Sequence, residues 1–436
     1  MVFYLRQATF LAISFLCLSC SGETTSPEPS PEPPVDTPEV NQTPDPIFDV
    51  PELESIRNAI DPNCAANGCI QHVDYFGTYS LETLNEEIPF GVNIENGYSV
   101  WQITYVTHGR QARATITLPW QVPTPESGFH IVLNNPLTVG YASRCASGSS
   151  VAGAALAAQF GAYGLVGVSV DYPGLGTEGS HPYLVADSEA KSTLDGARAT
   201  LEFLSHANIS ASKRIAFAGL SQGGHATLSA AAIHTDYAPD LDIRAFAVAA
   251  PSNMFLEQWS PYIDTDGAHL IFHALVAYAW SQYYNQPTTD IFFEPRRETI
   301  EDAIESLCLY EIDASIDSLY EALGTVAAEI FSPTFREAFK GQTLGDFPAL
   351  EQGFLENRVT PFNQSAPIRI YQGTWDDTVL PEDTLILVES LRSGGMDIQY
   401  EEVPHSGHLN TAFGYIATYQ LAAESSRHWL QGQLDP

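Results

Sequence analysis

Gly219-Leu220-Ser221-Gln222-Gly223 decides how the rest of the chain is read. An apolar run, Arg214-Ile215-Ala216-Phe217-Ala218, precedes it, and a small-residue stretch, Gly224-His225-Ala226-Thr227-Leu228-Ser229-Ala230-Ala231-Ala232, follows. The first has the composition of a buried strand and the second that of a helix, so the serine falls on the turn between them. A G-x-S-x-G turn of this kind is sharp enough to strain its serine, and its glycines let the strand and helix backbones approach. The turn lifts the hydroxyl clear of the sheet, and the N–H of the next residue points into the same space from a helix N-terminus. Ser221 is therefore the candidate nucleophile and Gln222 a candidate oxyanion donor.

Outward from this turn, Phe129–Leu133, Leu165–Val170, Arg214–Ala218, Ile243–Ala249, Ile368–Gln372 and Ile398–Val403 read as buried strands. Helical patterns at 149–162, 188–206, 223–234, 381–393 and 411–431 separate them. Residues 97–106 and 111–119 alternate in polarity, as an antiparallel strand pair does. Strands alternating with helices predict an α/β chain with a mostly parallel sheet, helices on both faces, and chemistry at the C-terminal ends of the strands. Together with the serine turn, this is the α/β-hydrolase fold. The interval from Asn253 to about Lys340 breaks the alternation and is helical and aromatic. It reads as a cap inserted in the fold, with most of its aromatic residues expected to form its own core.

Such a fold needs an acid and then a histidine after the serine. Strand 366–372 runs into Gly373-Thr374-Trp375-Asp376-Asp377, and Asp376 is the expected acid, with Asp377 as its competitor. The acid's task is to accept the imidazole Nδ1–H and stabilise the imidazolium. Strand 397–403 delivers Pro404-His405-Ser406-Gly407-His408. His408 is the expected base because Gly407 frees its backbone; His405 is the alternative. The other ten histidines read as structural, His269 and His273 sitting on an apolar helix face.

Gly-Leu-Ser-Gln-Gly-Gly-His at 219–225, Asp171-Tyr172-Pro173-Gly174-Leu175-Gly176-Thr177, and His181-Pro182-Tyr183-Leu184 behind it together resemble the secretory lipase family of α/β-hydrolases. The likeness covers roughly residues 70–436. It implies hydrolysis of carboxylic esters, acylglycerols among them, without a metal or cofactor. It also implies a second oxyanion donor five residues before a cysteine, which here is Gly140 before Cys145, with Val139 as its neighbour. Asn135-Pro136 departs from the family's usual start of that loop. A Cys145–Cys308 disulfide is implied in the same way. Asp171 and Tyr172 read as structural, shaping a turn ahead of Pro173-Gly174.

Residues 1–19 read as a secretory signal, with Arg6 before an apolar run too short for a lasting membrane span. Cleavage before Cys20 would make it a lipidation site. Residues 20–47 read as a tether: between Pro27 and Pro46 lie eight prolines and five acids. The folded part then divides into a core at 48–252, a helical cap at 253–345 and a core at 346–436. Beyond Cys20, the four cysteines Cys64, Cys69, Cys145 and Cys308 suggest two disulfides in an exported protein, and Cys64 and Cys69 are near enough to bridge a small loop. No metal-ligand spacing accompanies them. The net charge of −35, with 15 Arg and 3 Lys against 53 acids, excludes nucleic-acid binding and disfavours adsorption to anionic lipid. The expectation is an exported monomeric ester hydrolase that meets a membrane only through a lipid anchor, cell-surface or outer-membrane in a bacterium. Two readings compete: a peptidase of the same fold, and a surface binding module that has lost its activity.

Overall fold

The computed structural model describes residues 50–87, 95–146, 160–309, 316–408 and 426–435. The signal segment, Cys20, the tether, and the helical patterns at 149–159 and 411–425 lie outside these residues.

Nine strands form one sheet: β1 (Ile70–Tyr79), β2 (Gly97–Thr107), β3 (Arg110–Trp120), β4 (Phe129–Asn135), β5 (Val166–Asp171), β6 (Ala211–Leu220), β7 (Asp242–Ala249), β8 (Ile368–Gly373) and β9 (Ile398–Val403). Their spatial order is β1-β2-β3-β5-β4-β6-β7-β8-β9. The first four in that order pair antiparallel, and every pair from β5-β4 to β8-β9 is parallel. β5 is buried along its whole length and β7 over its C-terminal five residues, as expected of parallel strands covered on both faces. Their buried residues are Val, Ala, Gly, Ser and Phe, with Asp171 at the end of β5, and the apolar ones fit a pleated surface.

The eight expected strands are all present, within a few residues of their expected ends. β1 is the strand that the sequence conceals. Its register against β2 slips between Ile70 and His72 and again between Tyr75 and Gly77, so its burial never settles into a period of two.

The elements around the site are α1 (Ala186–His206), α2 (Gln222–Tyr237), α3 (Leu270–Tyr283), α4 (Pro348–Glu356), α5 (Pro381–Ser393) and α6 (Ser426–Leu434). Between β7 and β8 the chain is helical from Leu256 to Glu356, apart from short connections and the undescribed residues 310–315. This insertion has its own core, in which α3 contributes Leu270, Leu275 and Trp280, and Phe292, Phe331 and Phe335 pack in succession. Two disulfides are formed, Cys64–Cys69 and Cys145–Cys308. The second joins the loop after β4 to the insertion, beside a bridge between Gly140 and Cys308 and a Leu309 N–H to Val139 carbonyl bond of 2.9 Å. It spans 163 residues, and in the chain-entropy account such a closure stabilises by about 5 kcal/mol.

Candidate active site

Ser221 joins β6 to α2 with φ 59° and ψ −115°. A non-glycine residue at positive φ costs on the order of 1–3 kcal/mol and persists only where its surroundings fix it. Here they do. The Ser221 N–H donates to the Ala249 carbonyl at 3.0 Å, and its own carbonyl accepts from His225 N–H at 3.0 Å and Ser252 N–H at 3.1 Å. The two flanking glycines are required by contact. A Cβ on Gly219 would lie 2.1 Å from the Gly223 carbonyl oxygen, and one on Gly223 would lie 1.9 Å from that of Asn135.

Ser221 opens onto a cavity of about 160 Å³. One wall comes from the insertion, with Trp259, Tyr262 and Phe272; the other comes from the loop Asp377–Leu380 and from Asp383 on α5. His269 and His273 also reach this wall. Both are held by carbonyls: His269 Nε2 lies 3.0 Å from the Tyr262 oxygen, and His273 places Nδ1 and Nε2 each 3.1 Å from those of His269 and Trp259. Burial pulls His273 down to about 4, so its ring is neutral at pH 7. Asp383 moves the other way: burial, then the charge of Glu382, raises its carboxyl to about 6.

Asp376 and His408 come together. Asp376 is buried, with Oδ2 2.8 Å from His408 Nδ1. Its Oδ1 accepts the N–H groups of Thr378 and Val379 at 3.0 and 2.9 Å, which locks the carboxylate in place. A carboxylate only accepts, so Nδ1 carries the proton and Nε2 is left with its lone pair. Asp377 is exposed and takes part in the cavity wall. His405, at φ 57°, is exposed too and lies edge-on against the Trp375 ring at 4.7 Å. Among the described residues the Ser221 hydroxyl has no hydrogen-bond partner. Val139 and Gly140, φ 128°, fasten the loop after β4 to the insertion and are not part of the cavity wall.

A buried polar cluster behind Gln222 escaped the sequence reading. The Gln222 amide nitrogen is 2.8 Å from Glu189 Oε1 and 3.2 Å from His181 Nε2. Glu189 Oε2 lies 2.6 Å from His225 Nδ1, and His225 Nε2 lies 2.7 Å from the Asn357 carbonyl oxygen. All four side chains are buried. Burial works against a charge on His225, but Glu189 and the Asn357 carbonyl outweigh it and the ring ends above its ordinary pKa. His181 has only the Pro173 carbonyl at 3.4 Å on Nδ1, and burial drives it down to about 3. Gln222 Oε1 is buried with no hydrogen-bond partner, a state that costs about 1–3 kcal/mol. His181 and His225 stand in the segments that carry the family resemblance, but both read as structural there, and Glu189 in Ser188-Glu189-Ala190 reads equally well as part of a solvated helix face.

The secretory lipase family model matches residues 154–419, more than half of the chain. Among solved structures, the rice cell wall degrading esterase LipA from Xanthomonas oryzae superposes with a TM-score of 0.66 at 18% identity, covering 84% of this chain and 96% of that one. Candida antarctica lipase A in its closed state gives 0.56 at 16% identity, with 80% of each chain covered. At these identities the likeness is one of fold. No curated protein matches the chain.

Proposed function

The chain belongs to the secretory lipase family and is on that ground an ester hydrolase, and from that premise we propose that it cleaves carboxylic esters through an acyl-enzyme on Ser221. The observation that carries the serine mechanism is the 2.8 Å contact of Asp376 with His408 Nδ1, in a chain whose strained Ser221 opens onto the cavity bordered by the next four residues of the same loop, Asp377–Leu380. His408 Nε2 takes the Ser221 proton as the hydroxyl oxygen attacks the ester carbonyl. The Gln222 N–H, with that of Gly140 or of its neighbour Val139 as second donor, holds the oxyanion. His408 then protonates the leaving alcohol, and water repeats the sequence to release the acid. Each preorganised donor contributes about 3–4 kcal/mol to this step.

The insertion acts as the cap, and residues 253–345 select the substrate. A cavity of about 160 Å³ is small beside the roughly 300–1,000 Å³ of ordinary ligand sites, which favours short acyl groups over long ones. Family and disulfides agree with export. Residues 1–19 act as the signal, Cys20 carries the lipid, and 20–47 hold the enzyme off the membrane. Among the described residues no helix is long and apolar enough to cross a membrane.

The test is hydrolysis of p-nitrophenyl esters from acetate to palmitate by the wild type beside Ser221→Ala. The reading expects a rate that peaks at acetate or butyrate and vanishes in the variant. A rate rising to palmitate would overturn the short-acyl preference, and a rate surviving in Ser221→Ala would overturn the serine mechanism.

A further inference from the structure

We propose that Glu189 and His225 are positioning residues for the oxyanion donor, a buried carboxylate–imidazolium pair that holds the backbone N–H of Gln222 in place through the Gln222 side chain. The inference rests on the serine esterase reading above and adds to it the device that keeps its first donor still.

Gln222 is the first residue of α2 and His225 the fourth, so both lie in the turn that carries the donor. Glu189, on α1, meets both: Oε1 takes the Gln222 amide at 2.8 Å and Oε2 takes His225 Nδ1 at 2.6 Å. Oε1 also accepts the Leu184 N–H at 3.1 Å, which fixes the carboxylate from a second direction. The two hydrogens of the Gln222 amide are both used, on Glu189 and on His181 Nε2 at 3.2 Å. Its carbonyl has no partner, and turning the amide over would bring that carbonyl against the carboxylate. The pose of Gln222 is therefore imposed by the acceptors around it.

His225 faces an acceptor on each ring nitrogen, Glu189 on Nδ1 and the Asn357 carbonyl on Nε2, so each nitrogen carries a proton. The pair is closed off from solvent on both sides, with side chains wholly buried. It takes no part in the wall of the cavity beside Ser221, so it acts on the reaction through Gln222. Asn357 extends the clamp to the chain returning from the insertion, accepting the Ala186 N–H at 3.0 Å and donating to the Tyr284 hydroxyl at 3.1 Å. A backbone donor stabilises a developing oxyanion only while it stays within a fraction of an ångström of its place.

The experiment compares wild type, Gln222→Met, Glu189→Met and Glu189→Gln on p-nitrophenyl butyrate, with a trifluoromethyl ketone as a mimic of the tetrahedral adduct. Gln222→Met and Glu189→Met are expected to lower kcat by about 10- to 100-fold, with KM within about twofold and ketone affinity falling by the same factor as kcat. Glu189→Gln recovers most of that loss. Its carbonyl still accepts from Gln222 and Leu184, and its amide donates to a neutral His225. A purely structural pair would lower the melting temperature and the fraction of serine labelled by a fluorophosphonate. It would leave kcat per labelled serine and ketone affinity where they were, and that result overturns the proposal. Gln222→Met keeps the ion pair whole, so it decides the matter if Glu189→Met does not fold. Nitrogen NMR of the wild type gives a readout free of activity: both His225 nitrogens are protonated at pH 8, and a neutral ring would overturn the pair. Wild type without Ser221-dependent turnover would remove the esterase reading itself; an active wild type with unmoved variants removes the positioning role alone.

Discussion

The sheet and the helical insertion bury their apolar surface in different ways. At the serine turn between β6 and α2 the packing is backbone against backbone: Gly219 lies against Gly223 and Gly223 against Asn135, and the strands behind it present Ala, Val, Ile, Leu and Phe. In the insertion it is ring against ring, with Trp280 edge-on to Phe354 at 5.0 Å and Phe335 edge-on to Phe347 at 5.0 Å. Backbone contact leaves no room for adjustment, and Ser221 lies there. Aromatic side chains adjust by rotamer, and the rings that border the cavity come from there, Tyr183 excepted. The difference points to a division of labour in which the sheet sets the chemistry and the insertion sets what the chemistry is applied to.

Removing the proposed nucleophile is the largest test of that division. Ser221→Ala is expected to lower kcat by about 10⁶-fold, leaving the residual rate that oxyanion donors and binding supply. If any single insertion variant that still folds lost as much, the division would fail. Asp376→Asn comes next, with a loss near 10⁴-fold because the amide favours the wrong histidine tautomer. Asp377→Asn, at an exposed carboxylate that has no contact with His408, should change kcat by less than about threefold. Steady-state kinetics on butyrate esters read both, and equal losses at the two positions would break the assignment of the acid.

The insertion's own stability gives the third test. Trp280 is fully buried and its Nε1–H donates to the Tyr183 carbonyl at 3.1 Å, across to the sheet side of the cavity. Trp280→Ala should cost about 3–5 kcal/mol in a denaturant titration, with kcat per labelled serine within a few fold of wild type. Trp259→Ala sharpens the comparison at smaller scale. It enlarges the cavity wall without touching the sheet, so the ratio of hexanoate to acetate turnover should rise by about 10-fold. An unchanged ratio would mean that selection lies elsewhere.

The same difference explains what was legible in the sequence. The parallel strands, the serine turn, and the acid and base loops are local patterns, and the chain writes them in consecutive residues. The loops of Asp376 and His408 are each read from a few neighbours, and the fold brings these two side chains to 2.8 Å. The concealed parts depend on contacts distant in sequence. β1 pairs through a register that slips twice, which erases the alternation a reader would count. The cluster behind Gln222 gathers Glu189, His181, His225 and Asn357 from four separate segments, and no spacing rule links them. His269 and His273, read as residues of an apolar helix face, do bond backbone carbonyls, His269 through Nε2 and His273 through both ring nitrogens, yet they also border the cavity because the insertion folds back over Ser221.

The smallest expected effect is the pH dependence that Asp383 adds, and it sets two forces at one side chain against each other. Burial and the neighbouring Glu382 raise its carboxyl from the ordinary 3.8 to about 6. Its place in the first turn of α5 acts the other way, since the positive end of the helix dipole favours a carboxylate there. A raised carboxyl pKa means that the native state holds its proton to higher pH than the unfolded chain does. The stability associated with it is therefore complete below about pH 4 and is lost as pH rises through 6. Asp383→Asn keeps the backbone carbonyl that accepts from Asn253 and Gln258 and removes only the titration. The rise from 3.8 to about 6 corresponds to about 3 kcal/mol, which solvent screening at this partly exposed carboxyl reduces to about 1 kcal/mol. The variant's melting temperature should therefore match wild type at pH 4 and exceed it at pH 7.5 by about 2–4 °C. A variant less stable than wild type at pH 7.5 would mean that the helix N-terminus outweighs burial. The cavity beside Ser221 would then carry the Asp383 charge across the whole neutral range.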